Sequence, residues 1–359
     1  MDSRFGLRLS VEAEGVEVCD DVLLNLFRFD VVLNLRKYLA CFVFDRLKTN
    51  YGSGGQFELP YLDVRENKKL QMLEIIQLAI IGISQGCIYG LIAMGFVMIY
   101  KATEMVNFAQ GDIMMIGTFV ALTLTTVAGV NFFIAVLCAV FLMAIFGFLV
   151  DRVVIRKIIG QPQFSIVILT ISLGFVFRSG AGMIWGQSPR NMETPFIGDL
   201  VLGTLVIGNE RIAIVLGTVF VSLLLWAFLK YSRWGLAMQA SSQNQLAAFY
   251  SGIPVKSVYS MVWGLAAAIS CIAGVLLAPV TLVSTLNGFL GIKAFAAAVI
   301  GGFGSLPGAL LGGLIIGLAE PFAAAYLPEV KNIVAYLIMF FVLWIRPEGL
   351  FASLYQKKV

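Results

Sequence analysis

At 359 residues the chain is long enough for about two soluble domains. However, 59% hydrophobic against 13% charged residues, with a mean hydropathy of +0.91, leaves too little charge to coat a water-facing surface. This excludes disorder, a collagen-like chain or a disulfide scaffold as the global description, and marks a polytopic membrane protein. The formal net charge of +4 is too small to mark a nucleic-acid binder, and the absence of histidine removes His-based catalysis, His metal ligands and His pH switching.

Residues 1–71 differ from the rest. They hold ten Lys/Arg and eleven Asp/Glu, a net of −1, whereas the remainder holds fifteen and ten, a net of +5. The segment has no signal-peptide pattern, and its longest apolar pattern, Val22 to Leu35, is interrupted by Asn25, Arg28, Asp30 and Asn34. Tyr51-Gly-Ser-Gly-Gly55 reads as a flexible break, and Met72 stands just before the first long apolar run. The expectation is a polar N-terminal extension over 1–71, poorly ordered or preceding a start at or near Met72, and a transmembrane domain over 72–359.

A helix needs about 20 apolar residues to cross the hydrocarbon core. Such runs lie near 74–100, 112–129, 132–150, 164–186, 212–229, 257–279, 290–303, 307–326 and 331–346, with 290–303 short. The predicted fold is therefore all-α, a membrane helix bundle of about eight to nine spans with broken or re-entrant segments. The uncharged run Ser257 to Ile292 is too long for one crossing; Pro279, Thr281, Ser284, Thr285 and Asn287 point to a helix end followed by an external or re-entrant stretch. Arg152, Arg156, Lys157, Lys230, Arg233, Lys256, Arg346, Lys357 and Lys358 cluster where the positive-inside rule puts the cytoplasm. The loop 187–211, with no basic excess, then faces outside, and the C-terminus faces the cytoplasm.

Three segments carry functional information. In Glu104-Met-Val-Asn-Phe-Ala-Gln-Gly-Asp112, the polar Asn107, Gln110 and Asp112 lie beside bilayer, Gly111 permits a sharp turn, and Asp112 could cap the next helix. The segment is either a capped loop or a broken helix at a substrate path, where helix ends and free backbone meet a zwitterion. In Ser232 to Ile253, Gln239 to Tyr250 can form a short helix stopped by Gly252, with Leu246, Phe249 and Tyr250 exposed; it is an interfacial linker or a plug for a soluble partner's socket. In Lys293 to Gly317, Gly304, Gly308 and Gly312 form a small-xxx-small ladder, Gly313 and Gly317 add another pair, and Gly301 to Gly308 with Pro307 breaks the helix. Arg178 reads as an anchor snorkelling outward past Gly180 and Gly182, and Glu320 as an anchor near the outer end of its span. The cysteines Cys19, Cys41, Cys87, Cys138 and Cys271 show no ligand spacing, and neither a metal nor a cofactor is expected.

Over about Met72 to Phe351 the chain resembles the high-affinity branched-chain amino acid ABC transporter permease family. Asn107-Phe-Ala-Gln-Gly111 resembles the family's Asn-Phe-Ala-His-Gly signature, and Asp151-Arg152 with Arg156 resembles its loop after the third span. Gly235, Ala237, Met238, Ala240, Ala247, Ala248 and Gly252 stand as in its ATPase coupling loop (232–253), Ala294 to Glu320 resembles it most closely, and Arg346-Pro-Glu-Gly-Leu-Phe351 resembles its ending. Gln110 replaces the usual His and Gln239 a usual Arg.

The resemblance implies a pathway subunit of an importer in a bacterial inner membrane. It would work with a second permease subunit, two cytoplasmic ABC ATPases and a periplasmic solute-binding protein. The chain has no GxxxxGK[ST] loop to cradle ATP phosphates, so it is not expected to be an enzyme. Asn107, Gln110 and Gly111 are the candidates for lining or bracing the path. Gly301, Gly302, Gly304, Pro307, Gly308 and Gly312 are the candidates for the helix break and its packing. The alternatives are the same machine carrying urea or short amides, and a self-sufficient channel or secondary transporter.

Overall fold

The structure, a computed structural model, describes residues 64–351 apart from 159, 197, 203 and 204. The expectations for residues 1–63 and for Lys357 and Lys358 lie outside the described residues. Among the described residues eleven α-helices dominate. They are α1 (Val64–Thr103), α2 (Gln110–Thr126), α3 (Phe132–Val153), α4 (Gln163–Trp185), α5 (Asn209–Tyr231), α6 (Arg233–Gln243), α7 (Gln245–Tyr250), α8 (Val255–Leu277), α9 (Leu290–Gly301), α10 (Leu306–Tyr326) and α11 (Val334–Ile345). An antiparallel hairpin, β1 (Asp199–Leu202) and β2 (Leu205–Gly208), interrupts the loop before α5. The first helix starts at Val64, eight residues ahead of the boundary drawn at Met72.

Among the described residues six helices are long and apolar enough to cross a bilayer: α1, α3, α4, α5, α8 and α10. The other three expected spans are shorter: α2 has 17 residues, and α9 and α11 have 12 each. Both α2 and α9 start at or ahead of the expected position and end early, α2 at Thr126 ahead of Gly129 (φ 62°) and α9 at Gly301 ahead of Gly302 (φ 89°). Left-handed glycines there stop the helix before the crossing is complete.

The most enclosed span is α8, 78% buried, against 22% for α4 and α5. Around it pack α1, α2 and α3; α10 and α9 complete the centre against α1. The outer faces of α3, α4, α5 and α11 present large apolar side chains such as Phe141, Phe175, Phe220 and Phe340. That arrangement suits lipid or another membrane subunit. In a bilayer helices gain little from burying apolar surface, so small residues and close van der Waals contact decide which ones pair.

The closest such pair is α1 on α10. Gly82, Gly86 and Gly90 of α1 meet Gly313 and Gly317 of α10, and a Cβ at Gly86 would stand 2.8 Å from the Leu314 Cα. The predicted ladder is shorter by one residue. Gly304 lies in the turn ahead of α10, and the helix starts at Leu306, capped by Ser305 Oγ accepting from the Gly308 amide at 3.1 Å. Gly308 and Gly312 then pack on Gly301 and Ala297 of α9.

Candidate functional site

The chain leaves α1 through Glu104, the single non-glycine residue with positive φ among the described residues, at 56°. Residues 105–109 run without regular helix to the start of α2. Their polar groups turn inward. Asn107 Nδ2 donates to Gln110 Oε1 at 3.0 Å, and Asn107 Oδ1 accepts from the Ala109 amide at 3.1 Å. Gln110 Nε2 donates to the Ala266 carbonyl at 3.1 Å and to Ser270 Oγ at 2.6 Å, halfway along α8. Both side chains are 0% exposed: Gln110 ties α2 to α8, and Asn107 holds Gln110 and the Ala109 amide in place.

A second interrupted helix meets this point. After α8 the chain turns, pairs Val283 with Arg190 in a backbone bridge, and passes through a 3-10 turn, Thr285–Phe289, into α9. Gly111 and Gly291, each the second residue of its helix, touch: a Cβ on either would lie 2.7 Å from the other's Cα. Only two glycines admit this approach. The N-termini of α2 and α9 thus converge at the depth of the middle of α8. Their dipoles give this junction a positive character, although the Gln110 backbone amide already donates to the Asn107 carbonyl and the Leu290 amide to the 3-10 turn ahead of α9.

Asp112 does not cap α2. The N-cap position is Ala109, without a side-chain bond, and Asp112 stands third in the helix. Its Oδ1 accepts from Arg178 Nε at 2.9 Å and Nη2 at 2.7 Å. Arg178 therefore does not snorkel outward. Helical side chains lean toward their own N-terminus, and this one leans a turn back toward Gly174, where the carboxylate waits. Its guanidinium lies over the Phe289 ring at 3.7 Å from the centroid. Glu320 is likewise more than an outer anchor. It accepts from Lys293 Nζ of the first turn of α9, from Tyr89 Oη at 2.7 Å and from Gln85 Nε2 at 3.0 Å. Each interrupted helix thus carries near its start one charge paired with a full-length helix, α2 with α4 and α9 with α10.

The segment 232–253 forms two helices rather than one over 239–250. Ser232 Oγ caps α6 at the Trp234 amide, and Asn244 breaks the run and caps α7 at the Ala247 amide, 3.0 Å. Gly235, Met238 and Ala248 are buried against the bundle, Ala237 and Ala240 are half-buried, and Gln239, Ala247 and Gly252 are exposed. Gln239 Nε2 donates to the Leu229 carbonyl at 3.0 Å. Gly252, at φ 82°, ends α7 in a Schellman pattern, with Ile253 N–H on the Ala248 carbonyl and Gly252 N–H on that of Phe249. Leu246, Phe249 and Tyr250 project outward. At the start of α8, Ser260 Oγ donates to Asp151 Oδ2 at 2.6 Å, and Arg156 Nη2 donates to Ser260 Oγ at 2.5 Å.

The break between α9 and α10 comprises Gly302 to Ser305, with Gly302 at φ 89° and Pro307 in the first turn of α10. Phe303 and Gly304 line a cleft of about 400 Å³ with Tyr100, Val299, Leu343, Pro347 and Glu348. The Leu350 amide donates to the Ile300 carbonyl at 2.8 Å, holding the C-terminal turn to α9.

Of the candidates from sequence, Asn107, Gln110 and Gly111 share the junction, whereas the 232–253 residues and the Gly301–Gly312 break are separate features. Sequence reasoning missed Asp112–Arg178, Lys293–Glu320 and the role of Gly291. The signal available was that each charge sits in an apolar stretch and must be neutralised somewhere.

Residues 78–343 match the family described as "Branched-chain amino acid transport system / permease component". The chain is 31% identical over 305 residues to the "High-affinity branched-chain amino acid transport system permease protein LivH" of Escherichia coli (strain K12), covering 80% of this chain and 99% of that protein. It is 32% identical over 305 residues, with the same coverage, to the permease protein BraD of Pseudomonas aeruginosa. A "Probable branched-chain amino acid transport permease protein LivH" of Methanocaldococcus jannaschii is 29% identical over 72% of this chain and 87% of its own length. No solved structure matches.

Proposed function

The chain belongs to the branched-chain amino acid permease family, and from that premise we propose that it is one of two membrane subunits of a binding-protein-dependent ABC importer for branched-chain amino acids. The observation that carries the reading is that it corresponds to 99% of the length of permease subunits named for that transport. In this reading a solute-binding protein delivers the amino acid at the outer side, a second permease completes the path, and two ATPases grip α6 and α7 from the cytoplasm of a bacterial cell. The C-terminus lies on that inner side.

The mechanism follows from what α8 joins. Gly235, Met238 and Ala248 seat the α6–α7 pair on the bundle, and α6 packs on α5, α8 and α1. Closure of the ATPases pushes on Phe249 and Tyr250, α8 moves with its cytoplasmic end, and Gln110, bonded to Ala266 and Ser270, carries the movement to the helix junction. Asn107 and Gln110, fully enclosed, brace the path rather than line it.

The test is purification of the tagged chain in a complex-preserving detergent, followed by reconstitution. ABC ATPases and a second permease co-purify, and uptake of leucine requires both ATP and the binding protein. Recovery of the chain alone, with uptake independent of ATP, would instead mark a channel or secondary transporter. Accumulation of urea without leucine would reassign the solute.

A further inference from the structure

Both buried ion pairs at the junction share an asymmetry. The Arg178 side chain is 18% exposed and that of Asp112 6%; the Lys293 side chain is 19% exposed and that of Glu320 2%. In each pair the cation looks out and the carboxylate lies behind it. Between the two cations, the start of α9 exposes Phe289 (47%) and Ile292 (48%). An apolar strip thus runs between two positive groups at membrane depth. Lipid cannot cover it cheaply, because a partly exposed guanidinium facing hydrocarbon is costly, and intramembrane charges face a bundle interior or a water-filled cavity.

The two cations are not equivalent. Lys293 Nζ is held on Glu320. Arg178 spends Nε and Nη2 on one oxygen, Asp112 Oδ1, and its Nη1 has no partner among the described residues. Phe289 fixes the guanidinium plane from below at 3.7 Å and Phe175 flanks it at 5.8 Å. The planar fork is thereby held with one donor edge open, which suits recognition of a carboxylate. The positive N-terminal ends of α2 and α9 favour the same charge.

Building on the importer reading above, we propose that Phe289 and Ile292 form this chain's wall of the solute path. Arg178 Nη1 receives the carboxylate of the passing amino acid there, while its branched side chain lies on the two apolar residues.

The test uses the assembled transporter in membrane vesicles. The exposed native Cys138 is replaced by alanine, as are Cys19 and Cys41; Cys87 and Cys271 are buried. The same triple-alanine chain without a new cysteine supplies the background. Ile292→Cys is probed with two impermeant methanethiosulfonates, one bearing a sulfonate and one a trimethylammonium group. Phe289→Cys serves as a second position if the first fails to assemble.

The sulfonate reagent is expected to react at least about tenfold faster, from charge focusing in a low-dielectric cleft. That preference disappears when the pair is removed together, as Asp112→Asn with Arg178→Gln, and labelling slows during turnover with leucine. A purely structural Arg178 would leave the ratio of the two reagents unchanged. If neither reagent reaches either cysteine, lipid or the partner permease covers the strip and the inference is wrong. Equal rates for the two reagents overturn it as well. Vesicles that accumulate leucine yet show no anionic preference bring down this inference alone, whereas vesicles that accumulate no amino acid bring down the importer reading.

Discussion

Glu320 accepts three hydrogen bonds while 2% exposed, from groups on α1 and α9 as well as its own pairing role on α10. Removing it strands the Lys293 ammonium in a low-dielectric setting. Glu320→Leu is therefore expected to lose about 3–5 kcal/mol, visible as a lower melting temperature of the detergent-purified complex. Adding Lys293→Met should recover most of the loss, because an apolar pair of similar volume leaves no charge unpaired. At the junction, Asn107→Ala with Gln110→Ala removes four hydrogen bonds made by fully enclosed amides. At equal expression, uptake should fall; unchanged uptake would end the bracing role. The sequence made these charges conspicuous, because Arg178, Glu320 and Asp112 stand in apolar runs. Their partners were not legible. Arg178 and Asp112 are 66 positions apart, and nothing local to either says that the arginine leans inward rather than out to water. Asp112 read as a cap because a carboxylate at a helix start commonly is one.

Helix pairing rests on the glycine seam. A valine at Gly86 would place its Cβ 2.8 Å from the Leu314 Cα, a backbone atom that cannot rotate aside. Gly86→Val is expected to abolish a monodisperse peak in size-exclusion chromatography. Gly180→Ala, which meets nothing within 4 Å, should leave the peak unchanged. On α7, Phe249 and Tyr250 project while Ala248 anchors the helix. Replacing both aromatics with alanine should lower uptake at least about tenfold, the weight of an aromatic anchor at an interface, while the chain itself remains folded. Periodicity gave the long helices their places, and Gly252 its role as a stop, since left-handed backbone at a helix end favours glycine. It missed the division of α6 from α7, because Asn244 is a weak helix former that caps only when the chain turns there. It also let the glycine ladder run one residue too far, since Gly304 fits the spacing as well in a turn as in a helix.

The whole bundle has a fixed sense once its charges are oriented. With the basic loops inside, a cysteine at Glu348 should be modified only from the cytoplasmic face, and one at Asp199 in the β-hairpin only from the outside. Labelling of both from one side would refute the topology. Composition marks a polytopic membrane protein, and the long apolar runs mark it as a helical bundle, to which the structure adds one short β-hairpin. The number of complete crossings was not, because hydropathy windows cannot distinguish a span from an interrupted helix whose missing half is polar backbone sheltered by protein. The junction of α2 and α9 depends on packing between segments about 180 positions apart, so only the three-dimensional arrangement displays it.

The shortness of α11 has a bearing on the membrane itself. Twelve residues rise only about 18 Å, well under the roughly 30 Å of hydrocarbon in a bilayer. Its exposed face carries Phe340, Phe341 and Trp344. Lipids bordering this edge must thin or tilt to match it, a deformation that costs a fraction of a kcal/mol per ångström. Where lipid rather than another subunit meets this edge, the bilayer is dented there, and any rearrangement of α9, which packs on α11, changes the depth of that dent. Bilayer thickness therefore biases the bundle's arrangement: an upright helix spans the most, so vesicles of shorter-chain phospholipids should favour the arrangement in which α11 is most tilted, and longer-chain phospholipids the one in which it stands most upright.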